Sequence, residues 1–127
     1  MEERMELYRK HTAALNDLAE AVYDGNRERG FWANRLDFAT VMMLVVTELS
    51  EAVEAQRNKD WFSGNLKDVY TAEDFCTDVK DTVEDELADA IIRLLDYCGG
   101  EGIDIAGHVL AKLKYNETRG KLHGKQY

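Results

Sequence analysis

Two pairs of acidic residues with helical spacing constrain the fold of this chain more than any other feature. Residues i and i+3 lie on one face of an α-helix, and the sequence contains Glu48-Leu49-Ser50-Glu51 and, about one helix further on, Glu86-Leu87-Ala88-Asp89. Apolar residues flank Glu48 at helical intervals, namely Val41, Leu44, Val45, Ala52 and Ala55. An ionised carboxylate buried in such a stripe is very costly unless a cation compensates it. The two pairs therefore predict acids that face each other across a helix bundle.

The composition predicts one all-helical domain over residues 1–127. A chain of 127 residues can bury a core, and its apolar fraction of 45% is too high for a disordered protein of this charge. There is no proline, and the nine glycines fall mostly between apolar-periodic stretches. The net charge of −9 argues against a general nucleic-acid binder. No segment resembles a membrane span or a signal peptide, so we expect a cytoplasmic protein.

Apolar periodicity predicts a four-helix bundle. The predicted helices run from about Glu3 to Tyr23, about Leu36 to Asn58, Val79 or Thr82 to Tyr97, and from an N-cap at Asp104 to about Thr118. We expect Gly99-Gly100 to stop the third helix and Gly120 to close the fourth. Residues 59–70 read as a loop, and Thr71-Ala72-Glu73 as a short turn. The apolar face of residues 38–55 is broad for one short chain, so we expect a homodimer or homotetramer.

The ligand types indicate which cation the acids would hold. Oxygen-only ligation suits Mg²⁺, with Mn²⁺ as a second choice. None of the three histidines lies in the Glu-x-x-His motif of di-iron bundles, and Cys76 and Cys98 lack zinc-site spacing. The structural alternatives are an ion pair of Arg93 with Glu86 or Asp89, and a pair of Glu48 with a structural cation such as Arg93. Other acids are expected to be solvated, namely Glu2, Glu3, Glu28, Glu73, Asp81, Glu84 and Asp85.

A third motif follows the acid pairs. Residues 112–127 contain five basic residues and one acid, which are either ordinary helix-end cations or a phosphate-facing segment. The combined pattern is Glu48-x-x-Glu51, Glu86-x-x-Asp89 and Lys112-x-x-x-Asn116-x-x-Arg119. Over about residues 32 to 123 this pattern resembles the MazG-type all-alpha nucleoside triphosphate pyrophosphohydrolases.

The resemblance implies a fold, a reaction and a set of site residues. The fold is the all-alpha pyrophosphatase bundle, and the reaction is magnesium-dependent hydrolysis of a nucleoside triphosphate to the monophosphate and pyrophosphate. Glu48, Glu51, Glu86 and Asp89 would be the metal ligands, Lys112, Asn116 and Arg119 would contact phosphate or sugar, and Trp32 would lie near the base. Glu51 is the candidate that accepts a proton from the attacking water. Some family members carry a second acid where this chain has Leu49.

Two other functions stay open at the level of sequence. Phosphoribosyl-ATP pyrophosphohydrolases are similar to MazG proteins in motif layout, although the loop of residues 59–70, with Trp61 and Phe62, has no evident use in that role. A non-catalytic helical oligomer would instead use the acids in ion pairs with the C-terminal cations. Trp32 would then simply cover the core.

Overall fold

The structure is a computed structural model, and it describes residues 1–119. The helices are α1 (Glu2–Thr12), α2 (Leu15–Glu28), α3 (Phe38–Arg57), α4 (Ala72–Asp78), α5 (Val83–Glu101) and α6 (Ile105–Glu117). Within residues 1–119 there is no β-strand, which confirms the all-α prediction. In the same range, no helix combines the length and apolarity that a bilayer crossing requires.

Side-chain caps fix where three of the helices begin. The carboxylate of Asp37 accepts a hydrogen bond of 2.7 Å from the Thr40 amide, and Asp104 accepts one of 2.9 Å from the Gly107 amide. The Thr71 hydroxyl caps α4 in the same way. Such bonds satisfy amides that a helix start leaves without partners. The predicted N-cap at Asp104 is confirmed, and the predicted closing residue Gly120 lies outside the described residues.

The prediction of one helix from Glu3 to Tyr23 is wrong, because the chain bends at residues 13 and 14 and forms α1 and α2 instead. The Thr12 hydroxyl donates to the carbonyl of Tyr8 at 2.8 Å. Such back-bonding within a helix weakens and often bends it. The second helix also continues through Gly25 to Glu28, since one glycine lowers helix stability by only about 1 kcal/mol.

The prediction that Gly99-Gly100 stops a helix is also wrong, because α5 runs through both residues to Glu101. Gly99 serves packing instead: a Cβ at this position would lie 2.2 Å from the carbonyl oxygen of Ala19 on α2. The helix ends beside Gly102, whose φ of +66° belongs to the left-handed region that favours glycine. Gly99 therefore allows two helix backbones to approach closely.

The chain divides into two compact units, and the first comprises residues 1–29 with the segment that begins at Asp96. In this unit both α1 and α2 pack against α6. Asn16 links α2 to the start of α6, because its side chain donates to Asp104 at 2.8 Å and accepts from the Ala106 amide at 2.9 Å. The α6 cap thus depends on a residue far away in sequence.

The second unit comprises Gly30–Leu95, in which α3 and the first part of α5 form an antiparallel pair. The Val83 amide donates to the Asp60 carbonyl at 2.9 Å, and further along the pair Arg93 contacts Glu48. Ala52, Ala55 and Ala90 are buried in this unit. Within residues 1–119 no large side chain is fully buried. Both helices keep exposed apolar side chains, namely Met43, Val46, Leu49, Val53, Leu87, Ile91 and Leu94.

Gly99→Ala tests the close contact between α2 and α5. We expect it to lower the free energy of unfolding by roughly 1–3 kcal/mol, because the new methyl group has no room beside the Ala19 carbonyl. Gly25→Ala is the matched control, since its methyl group meets only the flexible Arg29 guanidinium at 3.4 Å. This control is expected to be neutral or stabilising by up to about 1 kcal/mol. Urea unfolding measures both, and a Gly99→Ala variant as stable as wild type would contradict the packing role.

Candidate metal and phosphate site

Three of the four predicted ligands converge in the second unit. Glu48 and Glu51 lie on α3, Glu86 lies on α5, and each offers a carboxylate oxygen within 4.8 Å of the other two. Glu48 and Glu86 are buried, with 8% and 4% of their surface exposed, whereas Glu51 is exposed. We call these three residues the glutamate trio. A cavity of about 280 Å³ adjoins it, lined by Glu51, Glu54, Ala55, Asn58, Asp60, Asp81 and Glu86.

The fourth predicted ligand, Asp89, lies about one turn further along α5 and is not part of the trio. It is half-buried, and burial followed by the charges of Asp85 and Glu48 raises the pKa of its carboxyl group. Asp89 therefore contributes to the negative potential around the trio. In the structure it stands beside the three converging carboxylates rather than among them.

Arg93 compensates the charge of Glu48. Its Nε donates a hydrogen bond to Glu48 Oε1 at 3.0 Å, which joins α5 to α3. Of the structural alternatives derived from sequence, the pair of Arg93 with Glu48 is present, whereas no ion pair of Arg93 with Glu86 or Asp89 on its own helix occurs within residues 1–119. The antiparallel packing explains it, since the facing helix presents a buried carboxylate directly opposite the guanidinium.

Glu86 has a different environment from Glu48. Its Oε2 atom is buried and has no hydrogen-bond partner within residues 1–119. Burial, together with the neighbouring Glu51 and Glu48 carboxylates, raises the pKa of Glu86 to about 8. Burial also acts to raise the pKa of Glu48, but contacts with Glu86 and Arg93 outweigh it and the pKa is lowered. Like charges at this distance cannot all ionise freely, so the metal-free trio holds a proton on Glu86 at neutral pH.

A second group of acids surrounds the start of α5, where Asp81, Asp85 and Glu86 lie close together. Asp85 was predicted to be solvated but is half-buried. Its carboxylate accepts from the Asp81 amide at 3.0 Å, and the Thr82 hydroxyl accepts from the Asp85 amide at 3.2 Å. This reciprocal arrangement resembles a capping box. Asp85 therefore has a structural role as a helix cap.

The predicted substrate contacts divide between the two units. Trp32 is half-buried ahead of α3, with the Arg35 guanidinium 5.9 Å from its ring centre, and belongs to the same unit as the trio. Lys112, Asn116 and Arg119 belong to the other unit, at the C-terminal end of α6 and just beyond it.

Tyr115 is a residue that sequence reasoning missed. Lys112 Nζ lies 5.3 Å and the Arg119 guanidinium carbon 5.4 Å from the centre of its exposed ring. Basic residues at i−3 and i+4 around an aromatic side chain are the signal that predicts such an arrangement. The structure therefore places Lys112 and Arg119 around one aromatic ring.

Comparison of the chain with protein-family models, with curated proteins and with solved structures gave no match. Functional inference therefore rests on the residues and their geometry. The central observation is a set of three converging carboxylates, two of them buried and one with an unpartnered oxygen.

The trio predicts a pH-dependent stability in EDTA. The Glu86 carboxyl group has an ordinary pKa of 4.5 and a folded-state pKa of about 8. Between these values the folded protein binds a proton that the unfolded chain releases, so stability is fully present below 4.5 and is lost as the pH rises through 8. The raised pKa of Asp89 changes the stability in the same direction. The lowered pKa of Glu48 has the opposite sign, but it lowers the stability only when the pH falls below 4.5, the ordinary pKa of that group.

We expect the melting temperature in EDTA to fall by on the order of 10 °C between pH 5 and pH 8. Glu86→Gln, which cannot ionise, should remove most of this decline. Glu73→Gln removes an exposed acid of the same unit and should retain it. Calorimetric melting curves measure the effect, and a stability that rises across this range would contradict the protonated Glu86.

Proposed function

We propose that the protein hydrolyses a (deoxy)nucleoside triphosphate to the monophosphate and pyrophosphate in a magnesium-dependent reaction. The observation that supports this most directly is the convergence of Glu48, Glu51 and Glu86 across an antiparallel helix pair. The order of the three motifs resembles that of MazG-type pyrophosphohydrolases, and this resemblance supports hydrolysis between the α- and β-phosphates. The proposed fold is accordingly the four-helix bundle of that type, and the proposed compartment is the cytoplasm.

The residues present fit a hard divalent cation. All three converging groups are carboxylates, the ligand type that Mg²⁺ and Mn²⁺ prefer. The buried Oε2 atom of Glu86 lacks a hydrogen-bond donor within residues 1–119, and a bound cation would satisfy it. Glu48, Glu51 and Glu86 would hold the ion, with Asp89 adding a carboxylate one turn further along α5. Release of the Glu86 proton would accompany binding.

Other residues of the chain would activate the water and bind the substrate. Bound magnesium would supply charge stabilisation at the phosphoryl oxygens and lower the pKa of a water molecule. Glu51 is exposed, so one of its carboxylate oxygens would accept the proton of the attacking water. The water would attack the α-phosphorus and the bond to the β-phosphate would break. Lys112, Asn116 and Arg119 would bind phosphate or sugar, and Trp32 would pack near the base.

One observation favours a second candidate, a non-catalytic helical oligomer held by structural ion pairs. Glu48 does form an ion pair, with Arg93 of α5. That pair explains one of the three carboxylates, and within residues 1–119 no ion pair is present for Glu51 or Glu86. A structural role leaves a buried, unpartnered oxygen on Glu86 unexplained. Phosphoribosyl-ATP remains an alternative substrate for the same hydrolysis.

Pyrophosphate release tests the enzymatic proposal. With a panel of nucleoside triphosphates and Mg²⁺, we expect pyrophosphate rather than orthophosphate from at least one substrate, and no release in EDTA. Glu48→Gln should reduce turnover by on the order of a hundredfold or more, because it removes a carboxylate ligand of the Mg²⁺ ion that would stabilise charge on the phosphoryl oxygens. Glu28→Gln makes the same net-charge change on exposed surface of α2 and should stay near wild type. Orthophosphate as the sole inorganic product would contradict the cleavage site.

We also infer that the protein is a homodimer or homotetramer that buries the exposed apolar face of α3 and α5. Ile91 is 58% exposed on that face, so Ile91→Glu should dissociate the oligomer by placing a charge in the interface. Val69→Glu is the control, because Val69 is 82% exposed in the loop before α4. Light scattering at micromolar concentration measures the mass, and a monomeric wild-type protein would contradict the inference.

A further inference from the structure

The ion pair between Arg93 and Glu48 has one buried end and one exposed end. Arg93 Nε donates to Glu48 Oε1 at 3.0 Å. The Glu48 side chain is 10% exposed, whereas 41% of the Arg93 side chain is in contact with solvent. The carboxylate is therefore held in place by the fold, while the guanidinium is already partly hydrated and can turn fully into water without a desolvation penalty of its own. Long arginine side chains make such movements readily because their stems pack while their heads stay hydrated.

The same carboxylate belongs to the glutamate trio, so the Arg93 guanidinium and a divalent metal ion would compete for it. A divalent ion held by the trio would carry two positive charges within a few ångströms of the guanidinium, and like charges at that distance repel strongly. Arg93 already holds one oxygen of this carboxylate, Oε1, and the trio needs one Glu48 oxygen for the ion. Arginine binding and metal binding at Glu48 therefore oppose each other.

We propose that Arg93 is a placeholder counter-ion, which holds Glu48 in the metal-free protein and leaves it when a divalent cation binds the trio. This inference rests on the proposed magnesium-dependent function. Arg93 is a positioning residue in this scheme, because it keeps a buried carboxylate oriented and compensated until the ion arrives. Without such a cation Glu48 would be a buried charge whose remaining neighbours in the trio are both acids.

A purely structural ion pair and a placeholder predict different effects of removing Arg93 on the affinity for magnesium. Removal of a structural arginine lowers the stability at every magnesium concentration and leaves the intrinsic affinity for magnesium unchanged. Removal of a placeholder lowers the stability in EDTA but tightens magnesium binding, because the ion no longer displaces a competitor. The two effects are linked, because any free energy by which the arginine stabilises the metal-free protein is subtracted from the free energy of metal binding.

Calorimetric titration with Mg²⁺ alone, on the full chain, distinguishes the two roles. The variants are Arg93→Gln and the control Arg57→Gln, which makes the same charge change in the same compact unit. Arg57 pairs only loosely with Glu54, at 3.7 Å on the exposed surface of α3. We expect Arg93→Gln to bind Mg²⁺ about tenfold more tightly than wild type, a usual size for coupling between two binding events. Arg57→Gln should remain within about twofold, since exposed charges are screened.

Equal affinities of the two variants, with clear binding by wild type, would overturn the placeholder role and leave the metal site intact. No binding by any of the three proteins would overturn the metal site, and this inference with it. NMR of the wild-type Arg93 Nε–H group gives a second test that does not depend on a variant. This proton should be hydrogen-bonded and slow to exchange in EDTA, and should exchange rapidly at saturating Mg²⁺. A signal unchanged by Mg²⁺ would also overturn the proposal.

Discussion

The burial of two acidic side chains between α3 and α5 is the constraint on which the second compact unit depends. Glu48 and Glu86 are both more than nine-tenths buried and lie close together. An uncompensated pair of this kind is strongly unfavourable, and the structure compensates its two members differently. Arg93 neutralises Glu48, whereas Glu86 keeps its proton because its pKa is raised to about 8. The site is thus stable without an ion while it retains carboxylates that an ion can recruit.

Small residues make this arrangement possible and also limit the stability of the unit. Ala52 and Ala55 on α3 and Ala90 on α5 are buried beside the acids. Alanines at such positions let helices approach closely, which is what brings acidic oxygens on opposite helices within 4.8 Å of one another. They also bury little apolar area, and the hydrophobic contribution to folding scales with that area. Many of the larger apolar side chains of both helices, such as Met43, Val53 and Ile91, are exposed on another face. The close approach at the acids and the apolar surface are in this way both consequences of how α3 and α5 pack.

Features set by a few neighbouring residues were predicted correctly from the sequence, whereas features set by contacts between distant parts of the chain were not. The loop of residues 59–70 and the cap at Asp104 were predictable because turn and capping preferences act over a few residues. Gly99 was misread because its reason for being glycine is the Ala19 carbonyl on another helix. The pair of Arg93 with Glu48 could be named but not chosen from sequence, since i, i+4 spacing also favours Asp89 on its own helix. The convergence of three of the four predicted ligands was implied by the motif, but the position of Asp89 beside them required the actual helix packing.

The two kinds of compensation at the trio have different consequences for ligand binding. The proton on Glu86 and the guanidinium beside Glu48 each carry one positive charge, and in the proposed metal-bound state a dication would replace both. The replacement removes a proton in one case and moves a side chain in the other. Binding at the trio then links stability to both pH and cation concentration, because any ligand that prefers the folded state stabilises it in proportion to its occupancy. A helix pair with a thin core benefits most from that linkage, since each added kilocalorie is a large fraction of its stability. The acids that make the unit costly to fold are for this reason also the groups through which a bound cation would stabilise it.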